Sequence, residues 1–383
     1  MAERPLTGVQ VVHNRAHGPV PAQGLVHVPG PSMDQSHGQV EEQGSNPLHW
    51  ALFGHAAFQY LRAACKLGVI ELIHRRPGID LESCQRELGI PRQPLRCVLL
   101  ALTAMHLLEK TERGHRCRPV FDQIFRDGHW CSFVDIVEFE HHFAYLGEMD
   151  LTEAIRQGRN VGLQRFPGTG PNLYHRLAQT PHLQRIFFRY MSAWTQIGVD
   201  KLLEKLDLAG VRTAVDMGGG DATAAIAIAR KHRHVLIDLI ELPANADLAR
   251  QNIRSARVDS QIRVVAGDFF THPLPDNIDC FLFFHQLVIW PAETNVQLLK
   301  RAYGSLRPGG QVVILNSMSN DEQDGPLVAA LDSAYFLSLP EAGGMIYTWS
   351  DIESFLGQAG FTDIKRLVLD CWTPQACVTA RKQ

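Results

Sequence analysis

Ala214-Val-Asp-Met-Gly-Gly-Gly-Asp-Ala222 is the stretch that decides the fold. A strand-forming run over residues 211–215 feeds Asp216 and then Gly218, Gly219 and Gly220. A small-residue helix is expected over 222–230. Glycine lacks a Cβ, so such a turn takes positive φ and lets a ligand lie against bare backbone. The helix that follows points its free N–H groups at that ligand. A second strand over 235–240 ends in Glu241, whose carboxylate suits the two hydroxyls of a ribose. The unit reads as a nucleoside-binding βαβ element.

The spacing argues against a dinucleotide. No G-x-G-x-x-G is present, because Thr223 stands where the third glycine belongs, and no Walker lysine follows. Asp216 and Asp221 would repel a pyrophosphate but suit a ligand carrying an amino group and a sulfonium. Residues 262–270 read as a third strand ending in Gly267-Asp268-Phe269, where an Asp can accept from an exocyclic amine and a ring can stack on a purine. Residues 278–284 form a fourth strand, apolar on both faces, with Phe284 at its end. A helix over 293–306 stops at Arg307-Pro-Gly-Gly310 and precedes a fifth strand, 311–316. Ser350 and Glu353 read as a capping box, and 364–370 with 375–380 as a closing antiparallel hairpin. Strands alternating with helices mean a doubly wound sheet, with its ligand beyond the carboxyl ends of the strands.

The chain has 383 residues, enough for two domains, and 45% hydrophobic content permits a large core. A net charge of −3 gives no electrostatic case for nucleic acid. The eight cysteines form no C-x-x-C pair and read as reduced thiols of a cytoplasmic protein. No stretch has the length and apolarity of a signal peptide or membrane span, so no membrane association is expected.

Residues 1–47 lack periodicity and read as a disordered tail, whose scattered histidines suggest solvated polar chain rather than metal ligands. A long helix over 50–73, a short one over 80–88 capped by Asp80 and ended by Gly89, and a third from Pro91 to about 108 follow. Two short strands, 107–110 and 117–120, flank a turn at Glu112-Arg-Gly-His115. This is a winged-helix pattern, but its third helix is too apolar to read a DNA groove and suits a dimer interface better. Phe187, Phe188, Tyr190, Met191 and Trp194 lie on a helix over 183–203, both as core packing and as an adaptable substrate wall.

Residues 50–382 together resemble the dimeric small-molecule O-methyltransferases of plants and bacteria, the group containing caffeate and hydroxyindole O-methyltransferases. The resemblance rests on Val215-Asp-Met-Gly-Gly-Gly-Asp221, Glu241-Leu-Pro243, Gly267-Asp268-Phe269, Leu306-Arg-Pro-Gly-Gly310, and Thr348-Trp349 with Gly360-Phe361. It implies a mainly helical winged-helix N-terminal domain and a Rossmann-like, seven-stranded α/β domain binding S-adenosylmethionine (SAM). The implied boundaries are 1–47 tail, 48–125 dimerisation domain, 126–205 helical linker and substrate lid, and 206–383 SAM domain. It also implies an intertwined cytoplasmic homodimer acting on a small molecule. By the resemblance, Gly218, Glu241, Asp268 and Phe269 contact SAM, with Asp216, Gly219, Gly220, Leu242, Gly267 and Phe284 alongside. Met191 lies against an aromatic acceptor, with Phe188, Trp194, Val288 and Tyr335 completing the substrate site.

The departures are chemical. Such enzymes carry a Leu-His-Asp-Trp run after the fourth strand, whose His deprotonates the acceptor hydroxyl. Here it reads Leu287-Val-Ile-Trp290, so Val288 replaces the His and Ile289 the Asp. Asn316 replaces the supporting acid, and Ile346 a further Glu. His285, His142 and His141 are the alternative bases, since imidazole titrates near ~6.5. Glu138, His141 and His142 could share a metal, but an ordinary surface ion pair is the simpler reading, and no metal is expected. The leading expectation is methyl transfer to oxygen or carbon of a small aromatic or polyketide-like metabolite of secondary metabolism. The rival is an enzyme that keeps the cofactor's methyl and acts as a pericyclase or dehydratase, a hydroxylase or a decarboxylase. A non-catalytic partner subunit is a third option.

Overall fold

The computed structural model describes residues 47–383 apart from position 178. The tail reading of 1–47 therefore lies outside the described residues except at Pro47, which begins a helix.

The N-terminal helices are α1 (Pro47–Lys66), α2 (Val69–Arg75), α3 (Leu81–Leu88) and α4 (Arg92–Ala104). The expected single helix over 50–73 is broken because Gly68 takes φ 69°, a left-handed conformation that ends α1 and starts α2. Asp80 caps α3 by accepting from the Ser83 N–H at 2.8 Å, and Gly89 closes it with φ 66°. Pro91 precedes α4, which ends at Ala104, before the expected boundary at 108. β1 (Leu108–Lys110) and β2 (His115–Cys117) form the antiparallel wing. The second strand thus begins earlier than its sequence reading, because Pro119 opens α5 (Pro119–Arg126). Leu95, Leu99 and Leu102 of α4 are consumed by this unit's own core, with Ile70, Ile73 and Phe121. Leu100 is left 72% exposed, so only part of the apolar surface assigned to a dimer interface is outward.

α6 (Trp130–Phe139) runs into a π-helical segment, Glu140–Ala144. Three short helices follow, α7 (Tyr145–Gly147), α8 (Leu151–Gln157) and α9 (Leu173–Leu177), then the 25-residue α10 (Pro181–Lys205). Phe139 stacks on Tyr190 with ring centroids 3.6 Å apart, and Phe143, Phe187 and Tyr335 join the same aromatic cluster.

The C-terminal part is a doubly wound layer built from β3 (Thr213–Met217), α11 (Thr223–Lys231), β4 (Leu236–Glu241), α12 (Pro243–Ala256), β5 (Ile262–Ala266), β6 (Ile278–Phe284), α13 (Ala292–Ser305), β7 (Leu306–Ser317), α14 (Leu327–Ser338), α15 (Trp349–Gln358), β8 (Thr362–Val368) and β9 (Gln375–Arg381). The sheet has the expected seven strands, in the order β5-β4-β3-β6-β7-β9-β8. The pairs among β3 to β7 are parallel; β9 runs antiparallel to both β7 and β8. All seven residues of β6 are buried, as a central strand covered on both faces requires. The capping box is displaced from Ser350 and Glu353: Thr348 accepts from the Asp351 N–H and Asp351 accepts from the Thr348 N–H, each at 3.0 Å. From β3 the chain builds outward to β4 and β5 on one side, then crosses to β6 on the other. The carboxyl ends of β3 and β6 flank that reversal, where a doubly wound sheet opens a crevice.

Candidate active site

The crevice is a cavity of about 340 Å³. Its floor is the glycine turn after β3. Gly218 takes φ 76° and Gly220 φ 59°. A Cβ on Gly218 would lie 2.6 Å from Gln286 Nε2, which donates to the Gly218 carbonyl at 3.0 Å. The carboxylate of Glu241 accepts from the Gly220 N–H at 2.8 Å, the Leu242 N–H at 2.8 Å and Asn245 Nδ2 at 3.1 Å. β4 therefore positions the carboxylate and the turn positions itself on it. Burial raises the Glu241 pKa above the ordinary carboxylate value, against those hydrogen bonds.

Asp216 is the orphan of the site. It is 1% exposed, and neither carboxylate oxygen has a hydrogen-bond partner. Burial, with Glu241 adding to it, pushes its pKa up to about 7. A buried carboxylate beside open space suits a cationic group arriving from that space. Asp221, also expected to supply free charge, is engaged instead: it accepts from Ser192 Oγ, from the Thr223 N–H at 3.1 Å and from Thr223 Oγ1 at 2.7 Å. Asp268 and Phe269 line the same cavity after β5, with the Phe269 ring 4.7 Å from that of Phe270. Leu242 and Phe284 also line it. Gly267 does not; its N–H is held by the Glu241 carbonyl at 2.9 Å and it makes room for His272. The acids, glycines and aromatic rings are those a SAM-like nucleoside with a sulfonium and an amino group would need, and they converge.

The opposite wall is aromatic. Phe187, Phe188, Tyr190, Met191 and Trp194 of α10 line it, with Tyr335 and Phe336 of α14. Val288 is 3% exposed and faces the cavity with Ile289. Their loop is pinned from below by Asn295, 0% exposed, whose Nδ2 donates to the carbonyls of Leu287 at 2.7 Å and Trp290 at 3.1 Å.

Of the three candidate bases, only His285 lines the cavity. It takes φ 58° at the end of β6, and its N–H donates to the Leu315 carbonyl at 2.7 Å. The ring is 7% exposed and Nε2 has no partner. Burial pushes its pKa down to about 4, so the imidazole is neutral at neutral pH. His141 and His142 are elsewhere. His142 pairs with Glu138 at 3.5 Å across one helical turn, and Glu138 also binds Arg62 and Lys66 at 3.2 and 3.4 Å. The π-helical segment that carries both histidines turns His142 toward His182 in a separate surface depression. Helix periodicity cannot anticipate a π-bulge, which rotates the residues after it.

Sequence reasoning missed Gln286, Asn245, Asn295 and Asp332. Asp332 lines the cavity from α14. Gln286 and Asn245 sit beside motif residues and had that signal; Asn295 and Asp332 carried none.

Known proteins share this fold. The O-methyltransferase domain model matches residues 149–362, and the O-methyltransferase dimerisation domain model matches 50–123. This chain belongs to the O-methyltransferase family. The enzyme is 42% identical over 337 residues to an L-tyrosine C(3)-methyltransferase of Streptomyces lavendulae, covering 88% of this chain and 92% of that protein. The S-adenosylmethionine-dependent methyltransferase SibL, solved without ligand, superposes with a TM-score of 0.80 at 41% identity, covering 88% and 99% of the two chains. Human N-acetylserotonin methyltransferase in complex with SAM shares the fold, with a TM-score of 0.75 at 24% identity over 90% and 99%. The enzyme is a SAM-dependent methyltransferase. Among the described residues, no helix is long and apolar enough to cross a membrane.

Proposed function

We propose that the enzyme methylates a ring carbon next to the hydroxyl of a single-ring phenol of the tyrosine class. One observation carries this reading: a buried imidazole with an unpartnered Nε2 lines the cavity together with the aliphatic Val288. The similarity to a tyrosine C(3)-methyltransferase supports the choice of carbon.

When bound, the cofactor supplies a methyl group on a sulfonium, an electrophile. His285 Nε2 takes the phenol proton, and the resulting oxygen charge raises electron density at the adjacent ring carbon. The imidazolium formed stays beside that charge and stabilises it. The ring carbon would take the methyl as the carbon–sulfur bond breaks, leaving the demethylated cofactor; the ring proton at that carbon would pass to water, and His285 would return its proton to the phenol oxygen. Asp216, Glu241 and the glycine turn hold the nucleoside end. The walls of α10 and α14 exclude water and align the ring, so positioning supplies much of the acceleration. Val288 and Ile289 leave apolar contact where the ring edge must approach. The reading also includes a cytoplasmic homodimer formed through residues 48–125, with 126–205 as linker and lid and 206–383 as the SAM domain.

The test uses tyrosine deuterated at both ring positions beside the hydroxyl. Carbon methylation gives a product that has lost one deuterium, read by mass spectrometry. A methylated product retaining both deuterons shows transfer to oxygen and overturns the reading.

A further inference from the structure

We propose that Asp332, backed by Glu140 and Glu148, is a subsite that receives a primary ammonium group on the acceptor. The inference rests on the phenol reading above and names where the rest of that substrate is held.

The three carboxyls come from separate segments. Asp332 is in α14, Glu140 opens the π-helical segment and Glu148 opens the turn before α8. α14 packs against both α8 and the Glu148 turn. Burial, then the charges of Asp332 and Glu148, push Glu140 up to about 8; burial pushes Glu148 up to about 7; burial, then Glu148, push Asp332 up to about 7. None of the ion pairs among the described residues engages any of the three. Half-buried carboxyl groups with no paired cation carry a desolvation cost, and an incoming ammonium relieves it.

An independent feature points a ligand at the same wall. The His285 ring, 7% exposed, leaves Nε2 unpartnered in this cavity. His285 and Asp332 are tied to the same strand end. The His285 N–H bonds to Leu315 in β7, and Ser317, two residues on, lines the cavity together with Asp332. Tyr335, one helical turn after Asp332, presents its ring to the space on that wall. A phenol with its hydroxyl at His285 and an amine-bearing side chain directed at Asp332 uses both groups. No Lys or Arg is among the described residues lining the cavity. A carboxylate on the acceptor thus meets no opposite charge, so the amine and not the acid is recognised.

The experiment is calorimetric binding to the full chain saturated with S-adenosylhomocysteine. The probes are tyramine, tyrosine methyl ester, 4-ethylphenol and 3-(4-hydroxyphenyl)propionate. The two amines are expected to bind at least about tenfold more tightly than the two phenols lacking ammonium, the usual scale of a charge-assisted hydrogen bond. Asp332→Asn should remove that preference while leaving affinity for 4-ethylphenol and for S-adenosylhomocysteine within about twofold. Wild-type protein that binds 4-ethylphenol as tightly as tyramine overturns the proposal without any variant. Equal loss of all four probes in Asp332→Asn also overturns it. If the amines bind through Asp332 but no phenol gains a methyl, the reaction assignment falls and the ammonium subsite stands.

Discussion

Replacing His285 by Asn separates the base from everything else at the site. The residue takes φ 58°, a left-handed conformation that Asn tolerates better than Ala or Leu. The bond from its N–H to Leu315 is a backbone one and survives the change. What disappears is the imidazole proton acceptor. Loss of a positioned general base costs about 10²–10⁴ in rate, or ~3–5 kcal/mol of barrier. The pH profile carries the sharper expectation. With its pKa near 4, His285 is already neutral throughout neutral and alkaline pH, so wild-type kcat should be nearly flat from pH 7 to 9. The variant must wait for the phenol to ionise by itself. With a phenol pKa of ~10, roughly 0.1% is ionised at pH 7 and roughly 10% at pH 9, so the variant's rate should climb about 100-fold. The assay is transfer of labelled methyl from SAM to tyrosine at saturating concentrations, with SAM affinity measured separately and expected unchanged. A variant within about twofold of wild type at pH 7, or a wild type that climbs as steeply as the variant, refutes the role of His285.

Asp216→Asn should weaken SAM binding about tenfold by removing the charge that faces the cationic ligand. The ligand-free variant should be more stable than wild type above pH 7. The folded-state pKa of Asp216 is raised to about 7, so its stabilising contribution holds at low pH and is lost as pH rises through that value. Denaturant titrations at pH 5 and pH 8 check the sign, and a variant less stable at pH 8 would contradict it. Gly219→Val should lower both stability and SAM affinity, by ~1–3 kcal/mol in stability, because its Cβ would fall 2.5 Å from Asp216 Oδ2 and 2.7 Å from Leu239. The side chain would displace the turn from beneath, rather than fill the nucleoside space directly; unchanged SAM affinity by calorimetry is the contrary result. Gly344→Ala should cost ~1–3 kcal/mol and shift the Val288 loop, since the new Cβ would meet the Ile289 carbonyl oxygen at 2.2 Å and backbone cannot step aside. Thermal melting with tyrosine KM measures both effects. Asp279→Ala should cost ~2–4 kcal/mol, because one carboxylate holds the Arg212 N–H at 2.7 Å, the Thr213 N–H at 2.8 Å and Arg307. Burial works against that carboxylate, but Arg307 and the two N–H groups hold its pKa below the usual range, so its contribution is present above pH ~4 and fades as pH falls further. A variant that melts with the wild type at pH 7 disproves this.

The sequence by itself settled the doubly wound sheet and the place of the glycine turn that floors its crevice. Those depend on local requirements: three glycines for a turn with positive φ, Glu241 at the end of the next strand, and a β6 that is apolar but for Asp279. Each is written in consecutive residues and does not need distant contacts. The aliphatic pair Val288 and Ile289 was also legible, because both are covalently fixed relative to Trp290. Tertiary structure alone chose among His285, His141 and His142. All three are the same chemical group in the sequence; only the π-helical turn after α6 and the buried end of β6 put one at the cavity and two outside it. Asp332 was illegible for the same reason. It becomes a cavity-lining acid only when α14 packs against α8 and the Glu148 turn, nearly two hundred positions earlier in the chain, since proximity between distant segments comes from packing rather than from pattern.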